Sequence, residues 1–113
     1  MERIDYFELR AADLAGAKRF YSAAFGWNFT DYGPSYAGFG YPGADREAGG
    51  ISADPEHTHA PLAILYSDDL EASETRVKRA GGTIVKPIFS FPGGRRFHFT
   101  DPAGNELAVW SDK

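Results

Sequence analysis

The chain reads as an α+β fold built from two copies of one β-α-β-β-β module, and three observations predict it. Residues 3–29 and 59–85 correspond at a constant offset of 56 positions, pairing Leu9 with Leu65, Asp13 with Asp69, Leu14 with Leu70, Ala24 with Ala80 and Gly26 with Gly82. Each copy passes from an apolar strand to an acidic helix start, a helix, a glycine stop and a second strand. Short alternating runs divided by Gly and Pro turns supply the remaining strands. Two such modules give about eight strands and two helices in a single domain over residues 1–113, with module one over about 3–53, a linker over about 54–61 and module two over about 62–112. A duplicated unit makes the cleft between its halves the natural place to look for function.

The elements of module one follow in order. Residues 3–10, RIDYFELR, alternate as a strand, with Phe7 and Leu9 on one face and Ile4, Tyr6, Glu8 and Arg10 on the other. Asp13 is placed to cap a helix, because its short carboxylate can accept an orphan N–H. Leu14, Ala17, Tyr21, Ala24 and Phe25 follow at helical spacing, and Gly26 stops the helix. Residues 27–33 and 36–41 read as short strands around the Gly33–Pro34 turn, Pro42 to Gly50 as a flexible loop, and the residues through Ile51 as a closing strand.

Module two repeats the plan after the turn-rich linker DPEHTHAP. Leu62 to Ser67 is an apolar strand. Asp68 or Asp69 caps the next helix, with Glu71 three residues after Asp68 as in a capping box. Leu70, Ser73, Val77 and Ala80 form its buried stripe, and Gly81–Gly82 ends it. Thr83 to Phe89 is a strand, SFPGG a loop tip, Arg95 to Thr100 a strand, DPAGN a tight turn and Glu106 to Ser111 the last strand.

Composition narrows the function. Hydrophobic residues make up 42% and aromatics 15% of 113 residues, enough for a packed interior. The net charge of −4 argues against nucleic acid, whose phosphates need a basic face. No apolar run approaches the ~18 residues of a membrane span, and MERIDYFELR lacks a signal-peptide pattern, so a cytoplasmic protein is expected. The absence of cysteine removes disulfides, zinc–thiolate sites and thiol nucleophiles. GGRR at Gly93–Arg96 is too short for a phosphate loop, and Ser, His and Asp occur without a nucleophile elbow.

FELRAADLAGAKRFYSAAFGW, SDDLEASETRVKRAGGTI and HFTDPAGNELAVW together resemble the glyoxalase/bleomycin-resistance/extradiol-dioxygenase group, the vicinal oxygen chelate superfamily. The resemblance covers nearly the whole chain. Its most specific pieces are Phe20–Trp27 and Asp101–Asn105. It implies two curled sheets forming a cup for a small ligand, with the helices on the convex face. It also implies a homodimer. Many members hold a divalent metal in the cup, through His, Gln or Glu on the first and last strands of each module.

Carried over by these motifs, the ligand positions are Tyr6, Ser52, Leu62 and Ala108. Leu62 and Ala108 have no donor atom, and metal sites need several convergent donors. The expectation is therefore no metal and no cofactor. His57 and His59 form His-x-His, but in a Pro-flanked linker, where solvated histidines are the plainer reading.

The remaining candidates line the expected cup. If Phe97 and Phe99 pack under the helices, Arg96, His98 and Thr100 face the other way, as do Glu106, Ala108 and Trp110. Glu8, His98 and Glu106 are the candidate catalytic acid/base groups. Tyr6, Arg10, Tyr66, Arg96 and Trp110 are the candidate substrate-binding residues, an arginine holding an anion and Tyr66 and Trp110 joining Trp27 and Tyr36 in an aromatic wall. The plainer reading is that the Glu and Arg side chains satisfy one another across strands. Three functions stay open: a metal-independent glyoxalase-like lyase or isomerase, a binding protein that sequesters a compound as in bleomycin resistance, and an accessory subunit with a filled cup.

Overall fold

A computed structural model describes residues 1–57 and 61–113. The elements run β1 (Arg3–Arg10), α1 (Leu14–Phe25), β2 (Asn28–Asp31), β3 (Tyr36–Gly40), β4 (Glu47–Ser52), β5 (Leu62–Tyr66), α2 (Leu70–Ala80), β6 (Thr83–Phe91), β7 (Gly94–Thr100) and β8 (Glu106–Ser111). Eight strands in mixed pairing and two helices make this an α+β fold. The chain forms two compact units, Tyr6–Pro61 (module one) and Met1–Asp5 with Leu62–Lys113 (module two).

Each module has the same topology. In module one the strand order is β2-β3-β4-β1, with β1 parallel to β4 and the other pairs antiparallel. In module two it is β5-β8-β7-β6, with β5 parallel to β8. The parallel pair follows from the crossover: a helix must intervene before the chain can return in the same direction.

Both helices start on an aspartate. Asp13 Oδ1 accepts the Gly16 N–H at 3.0 Å, and Asp69 Oδ1 accepts the Ala72 N–H at 3.1 Å. Of the two candidate caps of α2, Asp69 is the one used. Glu71 does not close a capping box with Asp68; it pairs with Arg95 Nη1 at 2.5 Å. Gly26 (φ 72°) and Gly81 (φ 105°) end the helices in the left-handed conformation that a Cβ disfavours.

The core of module two is Leu70 on α2 against Phe97 on β7 and Val109 on β8, with Leu65, Val77, Ile84, Ile88 and Phe99 around it. Pleat alternation then turns Arg96 and His98 to the opposite face of β7. On α2, Leu70 and Ser73 are buried and Val77 is partly so, but Ala80, at the end of the expected stripe, is exposed. The N-terminus is fastened here too: the Glu2 carboxylate accepts from Ser73 and Arg76, and the Ser73 bond holds its pKa below the usual value.

Module one differs. Its buried residues include Ala37, Phe39 and Ile51, yet α1 buries none of its own. Trp27 is sandwiched between Phe39 (4.5 Å) and Tyr21 (4.6 Å), but Phe20 and Phe25 are 59% and 60% exposed. Ala24, one of the α1 residues at helical spacing, is also exposed.

Three boundaries depart from expectation. The Pro42–Gly50 stretch is not all loop, since β4 begins at Glu47. Its glycines belong to the sheet because neighbours lie on them: a Cβ at Gly49 would stand 1.9 Å from the Phe7 carbonyl. β6 continues through Phe91 where a loop tip was expected from residue 90, because Phe91 pairs with Gly94 across a tight turn. β2 is the shorter segment Asn28–Asp31 rather than 27–33.

Candidate functional site

The DPAGN turn sets the site in module two. Asp101 Oδ1 accepts the N–H groups of Ala103 and Asn105, both at 2.9 Å, and Oδ2 accepts the Asn105 side-chain amide at 3.0 Å. Gly104 takes φ 92°, which only a residue without Cβ adopts freely. This turn locks the β7–β8 register, so His98 faces Ala108 and Thr100 faces Glu106. His98 and Glu106 are then diagonal neighbours on one face, within reach for long side chains.

They meet. His98 Nδ1 lies 2.9 Å from Glu106 Oε2. A carboxylate can only accept, so His98 Nδ1 carries the hydrogen and Nε2 is the basic nitrogen of the neutral ring. His98 is fully buried, whereas the Glu106 side chain is 28% exposed. Glu106 is therefore the member a ligand can reach, and His98 fixes its position from beneath.

Aromatic residues surround the pair. Phe89 stacks on His98 at 5.8 Å. The Arg96 guanidinium sits over Phe89 at 5.7 Å and Phe91 at 5.8 Å. Phe91 packs on Trp110 at 6.4 Å, and Tyr66 meets Trp110 edge-on at 5.1 Å. Trp110 Nε1 donates to Asp5 at 3.1 Å, and Tyr66 Oη donates to Asp112 at 2.6 Å, which raises the phenol pKa to about 12. Five of the eight sequence-derived candidates thus gather in module two: His98, Glu106, Arg96, Trp110 and Tyr66. Phe89 and Phe91 join them unanticipated. Their alternation within residues 89–91 was the available signal, hidden by ending the strand too early.

Two more candidates meet in module one. Glu8, 4% exposed, accepts from Tyr36 Oη at 2.9 Å, and Tyr36 Oη lies 3.1 Å from Tyr6 Oη. Arg10 stays apart from this cluster, exposed at the end of β1 opposite Ser52. Tyr36 is a hydrogen-bonding link here, a role its residue type alone did not signal.

Two of the four positions of the resemblance offer no atom to a metal ion. Leu62 and Ala108 are buried and carry no donor. The Ser52 hydroxyl lies 2.6 Å from His57 Nδ1 and accepts the Asp54 N–H at 3.2 Å, while Tyr6 is engaged with Tyr36. Among the described residues no three His, Asp or Glu side chains converge to hold a metal ion. His57 is more than a solvated linker residue: it closes the 54–57 turn onto β4, with Nε2 4.0 Å from Asp54 Oδ2. This Ser–His–Asp set lacks an exposed nucleophile, because Ser52 is buried. His59 lies outside the described residues.

Two surface hollows, of about 490 and 300 Å³, flank α1 and share Lys18; neither touches Glu8, His98 or Glu106. No helix among the described residues is long and apolar enough to cross a membrane.

Repeated β-α-β-β-β modules, each with one helix and a four-stranded mixed sheet, define an α+β protein. The chain belongs to the Glyoxalase/Bleomycin resistance protein/Dioxygenase superfamily, whose sequence profile matches residues 3–109. It is 30% identical over 125 residues to the anthracycline biosynthesis protein DnrV of Streptomyces peucetius, covering 93% of this chain and 45% of DnrV. It is 28% identical over 115 residues to CFP32, a candidate glyoxylase of Mycobacterium bovis, covering 94% of this chain and 44% of CFP32. The chain thus spans about half the length of the curated relatives it matches. In fold it resembles a superfamily member from Vibrio splendidus (TM-score 0.75, 14% identity, 98% of this chain and 99% of that one). It also resembles the Mn(II)-bound glyoxalase of Novosphingobium aromaticivorans (TM-score 0.69, 22% identity, 99% of this chain and 40% of that one).

Proposed function

We propose that the protein is a metal-independent, glyoxalase-like lyase or isomerase that moves a proton on a small organic compound. The observation that carries this is the His98 Nδ1–Glu106 Oε2 contact at 2.9 Å. Glu106 acts as the general base and His98 orients it. Arg96 and Trp110 bound the same face and favour a planar compound bearing negative charge. The donor-poor set Tyr6, Ser52, Leu62 and Ala108 supports chemistry without a divalent ion.

The test follows carbon-bound proton exchange in deuterated water, with chelator-treated protein and a panel of small hydroxy-ketones and 2-oxoaldehydes. Glu106→Gln is expected to lower exchange by about 10²–10⁴-fold, the usual contribution of a positioned acid or base. His98→Gln should lower the rate with substrate affinity retained. Exchange that survives Glu106→Gln, or appears only after a metal is added, rejects the reading.

A sequestering role is the second reading. The wall of Phe89, Phe91, Trp110 and Tyr66 favours it, since clustered aromatic rings hold flat aromatic ligands without chemistry. DnrV, a relative, is named for the biosynthesis of anthracyclines. Quenching of tryptophan fluorescence by an anthracycline, with no turnover, would select this reading.

We further infer a cytoplasmic homodimer. The exposed Phe20 and Phe25 on α1 offer an apolar face to a second copy, and relatives about twice as long have room for a second set of modules in one chain.

A further inference from the structure

Module one contains a hydrogen-bond chain that the acid–base reading of module two does not use. Tyr36 Oη donates to Glu8 Oε2 at 2.9 Å, and the Tyr36 and Tyr6 hydroxyls are 3.1 Å apart. A phenol has one proton to give. Tyr36 spends its proton on the Glu8 carboxylate, so the second bond must run from Tyr6 to Tyr36. The order Tyr6 → Tyr36 → Glu8 is therefore fixed by counting donors.

The sheet is shaped to allow this chain. Glu8 lies on β1 and Tyr36 on β3, with β4 between them. Tyr36 reaches across β4 at Gly50, the residue paired with Glu8. A Cβ at Gly50 would stand 2.0 Å from the Tyr36 hydroxyl oxygen. The glycine is what brings the phenol to the buried carboxylate.

The outer end of the chain has a defined polarity. The Tyr6 hydrogen points inward, so its oxygen presents only lone pairs to a ligand. The negative charge of Glu8 lies behind it and disfavours anions. We propose that Tyr6, Tyr36 and Glu8 form a proton-accepting subsite for a neutral, hydroxyl-bearing small molecule. Tyr6 touches the ligand, and Tyr36 and Glu8 act through it as positioning residues.

The proton balance closes within the chain. The ligand O–H bond breaks and its proton joins the Tyr6 oxygen. Tyr6 passes its own proton to Tyr36, and Tyr36 passes its proton to the Glu8 carboxylate. The electron pair stays on the ligand oxygen, and both phenols are neutral before and after. Burial pushes the Tyr6 pKa up to about 12 and the Tyr36 pKa further, which disfavours a phenolate in either place.

Two probes test the subsite: 4-nitrophenol, held below its own ionisation, and its methyl ether 4-nitroanisole, which lacks the donor. Equilibrium dialysis of the wild-type chain should show the phenol bound about tenfold more tightly than the ether, the scale of one hydrogen bond into a charged network. Tyr6→Phe should bring the two probes within twofold of each other. Tyr36→Phe should do the same by disconnecting Tyr6 from Glu8, and Gly50→Ala provides a second way to displace Tyr36 if Tyr36→Phe folds poorly. Equal binding of the probes by the wild type, no binding of either at millimolar concentration, or an intact preference in folded Tyr6→Phe protein each overturns the proposal. A preference lost in Glu106→Gln but kept in Tyr6→Phe also overturns it, by assigning the phenol to module two. The inference rests on module one alone, so it stands or falls separately from the Glu106 exchange assay.

Discussion

Tyr36 and His98 hold the same station in two modules. Tyr36 pairs with Ser52 on β4, His98 pairs with Ala108 on β8, and Ser52 and Ala108 are 56 positions apart in the chain. Each is hydrogen-bonded to a glutamate, Tyr36 to Glu8 and His98 to Glu106. The glutamate comes from a different strand in each case: β1 in module one and β8 in module two. Burial is reversed as well. Glu8 is the hidden member of its pair, and His98 is the hidden member of the other. The station recurs in both modules, and the buried and the more exposed member of the pair are exchanged.

The β7 register makes Phe97 a core residue. Phe97→Ala should cost about 3–5 kcal/mol, because it opens a cavity beside Leu70 and Val109. Phe99, only partly buried, should cost less. Chemical denaturation of both variants checks the order, and a larger loss for Phe99→Ala would place the core elsewhere.

Two glycines of β4 separate stability from site geometry. Gly49→Ala sets a Cβ against the β1 backbone, which cannot yield without breaking the β1–β4 pairing, so a large fall in unfolding midpoint is expected. Gly50→Ala meets the far end of the Tyr36 side chain, which can swing away. A smaller fall is expected, with loss of the Tyr36–Glu8 bond. Equal midpoints for the two variants would contradict this distinction.

The helix caps are separable from both. Asp13→Ala and Asp69→Ala should each lower stability by about 1 kcal/mol, since each leaves an N–H of the first turn unpaired. Melting curves that match wild type in both variants would show that the caps carry no weight.

Asp101 gives the protein an acid-sensitive turn. Hydrogen bonds from the Asn105 side chain and the 103–105 backbone hold its pKa below the usual value. A carboxylate with a depressed folded pKa stabilises fully above its unfolded pKa of about 3.9, and that contribution disappears as pH falls through the folded value. Stability measured from neutral pH down through that window should drop more steeply in the wild type than in Asp101→Asn. Parallel pH curves would remove Asp101 from the explanation.

The exposed aromatic face of α1 predicts a concentration-stable dimer. Light scattering should give twice the chain mass at micromolar concentration, and Phe20→Glu with Phe25→Glu should give a monomer that remains folded. A monomeric wild type would count against the homodimer.

Much of this molecule was legible along the chain. Capping aspartates and terminal glycines act within a few positions, so they marked α1 to the residue, while the start of α2 stayed open between Asp68 and Asp69. Alternation placed His98 and Glu106 on the face opposite Phe97 and Val109, because a strand has a period of two. The glycines of β4 and the length of β6 were less legible. Gly49 and Gly50 look like loop residues until Phe7, Phe39 and Tyr36 are seen to lie on them. The partners of Glu8 and His57 were hidden for the same reason: the Tyr36 hydroxyl is 28 positions from Glu8, and Ser52 meets His57 only through the 54–57 turn. Which face a side chain takes is written in local spacing. Which atom it meets there depends on neighbouring strands brought together by long-range pairing, and only the tertiary structure decides that.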